Sequence, residues 1–343
     1  DVTQGTDFKS SVVISGTGAL VQMGTGNLTL NVANTYSGGT TINTGTFVIG
    51  HASAAGSGTI TQTDATSLLK IDTTGTISNA MIVYNVLASQ SAALSGAITV
   101  NNASFEVDAG DTLTISGNVS GVGGVTKNGA GTLTLNGTNT YNGATVVNSG
   151  TLEAASAHAL GSNNPIQVNG GTLLVSMDDA INGMNITLGN NTTSTVGTLS
   201  FTSNYSGNIG TLTLSQDSIL DMGENLSVVA AFASIANLND YILKVYNWDG
   251  SSLWGGGTGN DDDRLYFGSG VAGELDQISF YSGFGTGFLG TGFDLGFKTG
   301  FGNQIIPVPE PETWATAVLL VLGGAVWLWR KQSKFKKSAN SSD

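Results

Sequence analysis

Cysteine is absent from the 343 residues, which removes disulfides, thiolate nucleophiles and zinc–thiolate sites together. Histidine is almost absent as well. His51 and His158 are the only two, and with no cysteine or carboxylate pair beside them neither a metal site nor a Ser-His-Asp set has support. Charge is scarce: charged residues make up 10% of the chain, where soluble domains carry about 25%, and this argues against a helical or α/β enzyme. Basic residues are fewer still, 11 against 24 acids for a formal net charge of −13. Five of those cations lie between Arg330 and Lys337, so the body has no basic stripe for phosphates and nucleic acid is not an expected partner. Proline is nearly confined to one place, with Pro307, Pro309 and Pro311 making up three of the four. The chain opens on Asp1 rather than methionine, which suits either a removed signal peptide or a fragment.

Glycine is what the chain has in excess, 50 residues, about twice the usual share. A hydrophobic content of 40% excludes wholesale disorder, whose signature is low hydrophobicity with high charge. A turn-rich, all-β chain satisfies both numbers. Up to about residue 215 one phrase recurs, Gly then a small residue then alternating apolar and polar residues: GNLTL from Gly26, GTFVI from Gly45, GAITV from Gly96, GTLTL from Gly131, GTLLV from Gly171 and GTLSF from Gly197. The alternation puts Leu133 and Leu135 on one face and Thr132 and Thr134 on the other, as a half-buried strand requires. The phrases recur roughly every 20 residues, the length of one coil of a parallel β-solenoid. A single coil cannot bury its own apolar face, so coils must stack, about ten of them giving a rod roughly 50 Å long.

Two longer copies align without gaps, residues 24–57 on residues 129–162, sharing Leu28/Leu133, Leu30/Leu135, Asn34/Asn139, Tyr36/Tyr141 and Gly45/Gly150. The shared Asn-Thr-Tyr reads as a turn in which the tyrosine ring covers apolar residues and asparagine bonds backbone. The second copy, GGVTKNGAGTLTLNGTNTYNGATVVNSGTLEAASAHALGS from Gly123 to Ser162, resembles the autotransporter-associated β-strand repeat of bacterial surface passengers. The first departs from that pattern at Val32 and Ala33. The resemblance implies a right-handed parallel β-helix. The long membrane barrel that ends full autotransporters is not among these residues, so a different export route is expected.

From Tyr241 the composition turns aromatic and Gly-rich. Short strands are expected at residues 241–247, 264–268 and 277–281, and residues 241–306 read as a β-rich cap over the last coil of a solenoid spanning residues 1–240. Trp248 and Trp254 are the candidate glycan platform of a rival reading, a carbohydrate-binding surface module. Asp261 to Asp263 read as a solvated turn in preference to a calcium loop, since neither the EF-hand nor the nonapeptide pattern is present. The GxGxxG match at Gly285, Gly287 and Gly290 is rejected as a nucleotide site, because no strand and helix flank it as a βαβ unit requires. A second rival, a β-helix polysaccharide lyase, has only Lys9, Lys70 and Lys127 as candidate bases in the solenoid, each in a separate part of the repeat.

The tail, residues 307–337, is more specific. Residues 313–329 hold no charge and as a helix span about 25 Å, close to the roughly 30 Å hydrocarbon core. Trp314, Trp327 and Trp329 stand where aromatic belts sit, and Arg330, Lys331, Lys334, Lys336 and Lys337 form a cluster that stays cytoplasmic by the positive-inside rule. A single C-terminal transmembrane helix is expected, with the body on the outer side and residues 338–343 as a polar end. Pro309-Glu310-Pro311, then the apolar run, then the basic cluster, resembles the PEP-CTERM sorting signal of Gram-negative bacteria. That resemblance implies recognition by a membrane cysteine transpeptidase of the exosortase type and cleavage near Pro309 to Pro311. The expected protein is an exported, non-enzymatic structural or adhesive solenoid of the cell surface or extracellular matrix. It has no cofactor, metal or catalytic residue, and its expected partners are the membrane, the processing enzyme and exopolysaccharide or other matrix components.

Overall fold

The structure, a computed structural model, describes residues 5, 7–161, 164–224, 226–236, 240–248, 263–268, 277–283, 286–298 and 302–308. Among the described residues twenty-nine strands join in one hydrogen-bonded sheet that winds as a parallel β-solenoid of about 11 turns. Among the described residues no helix is long and apolar enough to cross a membrane. The expected span, residues 313–329, lies outside them.

Each full turn visits three faces. The first carries the strands Leu20–Gln22, Thr40–Ile42 and Ile60–Gln62, then the starts of Met81–Ala88 and Ile98–Val107, then Val119–Ser120. The second runs from Phe8–Ser10 through Asn27–Leu30, Thr46–Ile49 and Leu68–Ile71 to Val125–Asn128 and on through Thr145–Val147, Ile166–Val168 and Ile186–Leu188. The third begins at Thr76–Ile77 and continues through Ala92–Leu94, Thr112–Ile115, Thr132–Leu135, Thr151–Ala154, Thr172–Val175, Thr198–Phe201, Ser218–Asp221 and Leu243–Tyr246 to Ile278–Gly283. Most strands of four residues alternate buried and part-exposed positions, as in Thr132–Leu135, while Thr46–Ile49, Thr198–Phe201 and Arg264–Phe267 bury three in a row, and the inward side chains form one unbroken core. Parallel pairing in register puts like above like, so each interior position becomes a stack along the axis.

Stacking at this spacing leaves no room where the chain turns corners. Gly117 lies directly over Gly96, so that a Cβ there would run into the Gly96 carbonyl. Gly45 and Gly150, equivalent in the two repeat copies, have φ of 69° and 65°, a region that favours glycine.

The two copies do not occupy the same face. The Leu28–Leu30 strand lies on the second face; five steps up that face stands Val125–Asn128, and the Leu133–Leu135 strand follows on the third. The copies are thus five turns plus one face apart. The Asn-Thr-Tyr loop accordingly replaces a strand of the third face near Tyr36, where Thr35 and Ser37 bond Ile14 and Gly16, and a strand of the first face near Tyr141, where Thr140 and Asn142 bond Val119 and Gly121.

At the C-terminal end the pairing changes sense. Thr286–Lys298 pairs antiparallel with Ile278–Gly283, and Gly302–Val308 pairs antiparallel with both Thr286–Lys298 and Arg264–Phe267. The Gly-Phe segment, low in complexity as a sequence, is therefore mostly one 13-residue strand. A strand laid antiparallel against the last turn closes an edge that a further coil would otherwise extend.

Candidate functional surface

The loops that interrupt the faces are held identically in both copies. Asn34 accepts from the Ile14 N–H of the turn below at 2.8 Å and donates to the Ala54 carbonyl of the turn above at 2.7 Å. Asn139 does the same between Val119 (2.7 Å) and Ala159 (2.6 Å). Each asparagine thus ties three successive turns. Tyr36 and Tyr141 are buried beside them, their hydroxyls bonded to Thr40 at 2.6 Å and Thr145 at 2.7 Å. Burial raises both phenol pKa values, the threonine bonds opposing it. These groups are structural: every polar atom faces a protein partner.

Charged and amide side chains lie inside as well, among them Lys127, Gln62 and Asp263. Lys127 is fully buried in a stack otherwise built of Leu28, Phe47, Leu69, Val86, Phe105, Val147, Val168, Leu188 and Leu214. Its Nζ donates to the carbonyls of Asn128 (2.6 Å), Gly129 (2.8 Å) and Ser149 (3.3 Å). Burial depresses its pKa to about 8, against an opposing pull from the Glu106 carboxylate. An ammonium consumed by backbone is poorly placed as the base of a lyase. Gln62 donates to Ser67 and accepts from the N–H groups of Tyr84 and Asn85. Asp263, expected in a solvated turn, is fully buried and accepts from the Val228 N–H at 3.0 Å; that expectation is corrected, while Asp261 and Asp262 lie outside the described residues.

The outward side of the third face is a long regular surface. Thr112, Thr132, Thr151, Thr172 and Thr198 stack in one row and give way to Ile219, Lys244 and Ser279. The parallel row runs Thr114, Thr134, Glu153, Leu174, Ser200, Asp221 and Tyr246. It ends in a ring pair, Tyr246 stacked on Tyr281 with centroids 4.9 Å apart. Both rings are half-buried.

Trp248 does not join them. It is 3% exposed and edge-on to Phe280 at 4.8 Å, a core residue with no face for a sugar. Strand alternation from Tyr246 would point it outward, but Asn247 takes a left-handed φ of 53°, a conformation asparagine tolerates better than most residues, and this turns Trp248 inward. Trp254, Pro309, Glu310, Pro311 and the cluster from Arg330 to Lys337 lie outside the described residues. His51 and His158 are both exposed on loops, and among the described residues no group of three or more potential ligands gathers for a metal.

A stacked, loop-decorated solenoid with polar outer faces and most of its polar interior groups bonded within the protein is built as a scaffold that presents surface. Two segments, residues 20–49 and 125–154, match the passenger-associated-transport-repeat family. The chain is also similar to the Adhesin BmaC autotransporter of Brucella suis biovar 1 (strain 1330), 33% identical over 131 residues. That match covers 37% of this chain and 4% of the relative, so the chain spans a small part of the relative's length. No solved structure matches the chain.

Proposed function

We propose that this chain is an exported, non-enzymatic β-solenoid, structural and adhesive, displayed at the cell surface or in the extracellular matrix. One observation carries the reading: two segments of the body, residues 20–49 and 125–154, match the passenger repeat, in a solenoid similar in part to an adhesin. In this reading residues 1–240 are a right-handed solenoid and 307–337 a sorting signal, and the cap region 241–306 holds the last parallel rungs, Leu243–Tyr246, Arg264–Phe267 and Ile278–Gly283, together with the antiparallel strands that cover them. Residues 313–329 cross the membrane, Arg330, Lys331, Lys334, Lys336 and Lys337 stay cytoplasmic, and an exosortase-like enzyme cuts near Pro309, Glu310 and Pro311. The position of the last strand supports that cut site. Gly302–Val308 ends one residue before Pro309, so cleavage at the tripeptide spares the strand that covers Arg264–Phe267.

The test is to express the full chain in a Gram-negative host that carries an exosortase and in the same host lacking it. Protease added to intact cells should degrade the body, and mass spectrometry of the mature protein should find a C-terminus near residues 309–311 only in the first host. A body untouched by external protease overturns the display reading. A mature protein that keeps its tail in both hosts overturns the sorting reading.

A further inference from the structure

We infer that the rod carries a built-in joint directly beneath Tyr205, at which the turns above it open from the repeat-built body as one unit, the first face parting while the other two stay paired. The inference stands on the fold alone and is independent of the display reading. On the first face sheet pairing stops at Val119–Ser120 and, among the described residues, resumes only at Tyr205. Above Tyr205 the sheet is strong: eight residue pairs join Tyr205–Leu214 to Val228–Ala236, which pairs in turn with Arg264–Phe267. Below it the turn of residues 176–184 offers that face no strand. The two turns are held by the ladders of the second face, Ile186–Leu188 with Leu212–Leu214, and of the third, Thr172–Val175 with Thr198–Phe201.

The corner at the joint is a third, degraded copy of the Asn-Thr-Tyr loop. Ser203-Asn204-Tyr205-Ser206-Gly207 stands where the others read Asn34-Thr35-Tyr36-Ser37-Gly38 and Asn139-Thr140-Tyr141-Asn142-Gly143. Ser203 replaces the asparagine that spans three turns, and Ile209 replaces Thr40 and Thr145, the partners of the other two phenols. Accordingly Ser203 Oγ and the Tyr205 hydroxyl are buried without a partner among the described residues. A Cβ on Gly38 or Gly143 would strike the backbone of the turn below, but on Gly207 it would first meet the Tyr205 ring of its own loop. Two exposed side chains share the work of the missing asparagine, each joining only two turns: Asp178 accepts the Ser206 N–H at 3.1 Å and Asn204 the Ser227 N–H at 3.0 Å. Gly183 to Asn208, Gly210 to Met184 and Thr211 to Asn185 add bonds across the joint, but toward the second-face strand, on the pivot side. Local openings start where exposed bonds carry a contact, and solenoid turns touch only their neighbours. A rod pulled from its ends therefore yields first here and keeps its repeat-built body.

Native-state hydrogen exchange of the full chain, followed through a denaturant series below global unfolding, reads the joint. Residues 205–236 and 264–283 should become exchangeable in one shared step while residues 20–160 stay protected. Restoring the corner with Ser203→Asn and Ile209→Thr should slow that step about fivefold or more, the worth of one net hydrogen bond. Ile209→Val, which has the shape of threonine without its hydroxyl, should not slow it. Asp178→Ala with Asn204→Ala should hasten the step roughly tenfold and leave protection around Asn34 and Asn139 unchanged; if the repaired chain fails to fold, this pair decides alone. Exchange that rises gradually from residue 205 toward the C-terminus is ordinary end fraying and overturns the inference. A first opening near Tyr141, or a step that the Asp178 and Asn204 substitutions do not hasten, overturns it as well.

Discussion

Gln22 and Lys127 occupy the same position in the two repeat copies and perform the same task, donating from the core to the carbonyls of the next corner. Gln22 Nε2 reaches Gly24 at 3.0 Å and Gly26 at 2.9 Å; Lys127 Nζ reaches Gly129, the equivalent of Gly24, at 2.8 Å. An amide does this without charge, so the lysine is the costlier solution. Its folded pKa, about 8, lies below the roughly 10.4 of an unfolded lysine. Between those values the unfolded chain holds a proton that the folded chain lacks, so stability rises with pH across that window. From pH 8 to 9 the gain is about 1 kcal/mol. Urea midpoints at the two pH values should show it in the parent and not in Lys127→Gln, which should also be at least as stable at pH 7. Measurements belong below the ordinary tyrosine range, because Tyr141 and Tyr205, both raised chiefly by burial, oppose the trend once unfolded tyrosines ionise.

Asn139 carries one buried acceptor bond and one buried donor bond to different turns. Truncation to alanine strands the Val119 N–H and the Ala159 carbonyl together, and each unsatisfied buried group costs about 1–3 kcal/mol. Asn139→Ala should therefore lose about 2–6 kcal/mol. Because solenoid turns touch only their neighbours, the loss should be local. Hydrogen exchange should accelerate around residues 119–160 and change little around Asn34, whose own alanine variant should show the reverse. A uniform acceleration along the rod would contradict the nearest-neighbour picture.

The coil was legible wherever one alternating strand is one strand. Leu133 and Leu135 inward, with Thr132 and Thr134 outward, follow from period 2 alone, and the Gly-Thr phrases all fall on strands. The strands near residues 241–247, 264–268 and 277–281 appear within two residues of where alternation puts them. What sequence does not carry is which face a phrase occupies. The three faces ask for the same in-out pattern, so copies five turns and one face apart read alike. Lys127 shares the parity of Val125 and points inward, but its type argues for solvent, and only the carbonyl cradle at the corner reconciles the two. Trp248 misleads for a local reason: the outward phase of Tyr246 is legible, and the positive φ of Asn247 that resets it is not.

Glycine substitutions should separate corners from open loops. Gly117→Ala forces a Cβ into the Gly96 carbonyl, backbone against backbone, with no flexible atom to yield. The turns must separate, and overpacking of this kind costs about 1–3 kcal/mol or more. Gly18 has nothing within 4 Å of where its Cβ would stand, and Gly18→Ala should stay within about 0.5 kcal/mol of the parent. Thermal melts of the two single variants decide the matter. Equal losses would mean that the cost comes from glycine backbone entropy instead of from the stacking distance.

Truncation should show where the body ends. Arg264–Phe267 pairs parallel with the preceding turn on one edge and antiparallel with Gly302–Val308 on the other, through Leu265 to Ile305 and Phe267 to Asn303. A chain stopped after Val308 keeps that covering strand; a chain stopped after Gly283 loses it together with Thr286–Lys298. Bare strand edges recruit other chains, so the longer truncation should run as a discrete species on size exclusion and the shorter one should aggregate. Lys residues placed on the bared strand at Tyr266 should partly restore the shorter chain, since charge on an edge blocks edge-to-edge pairing. Aggregation of both truncations alike would mean that residues beyond Val308 are needed to finish the fold, and that cleavage at Pro309 to Pro311 cannot release a folded body.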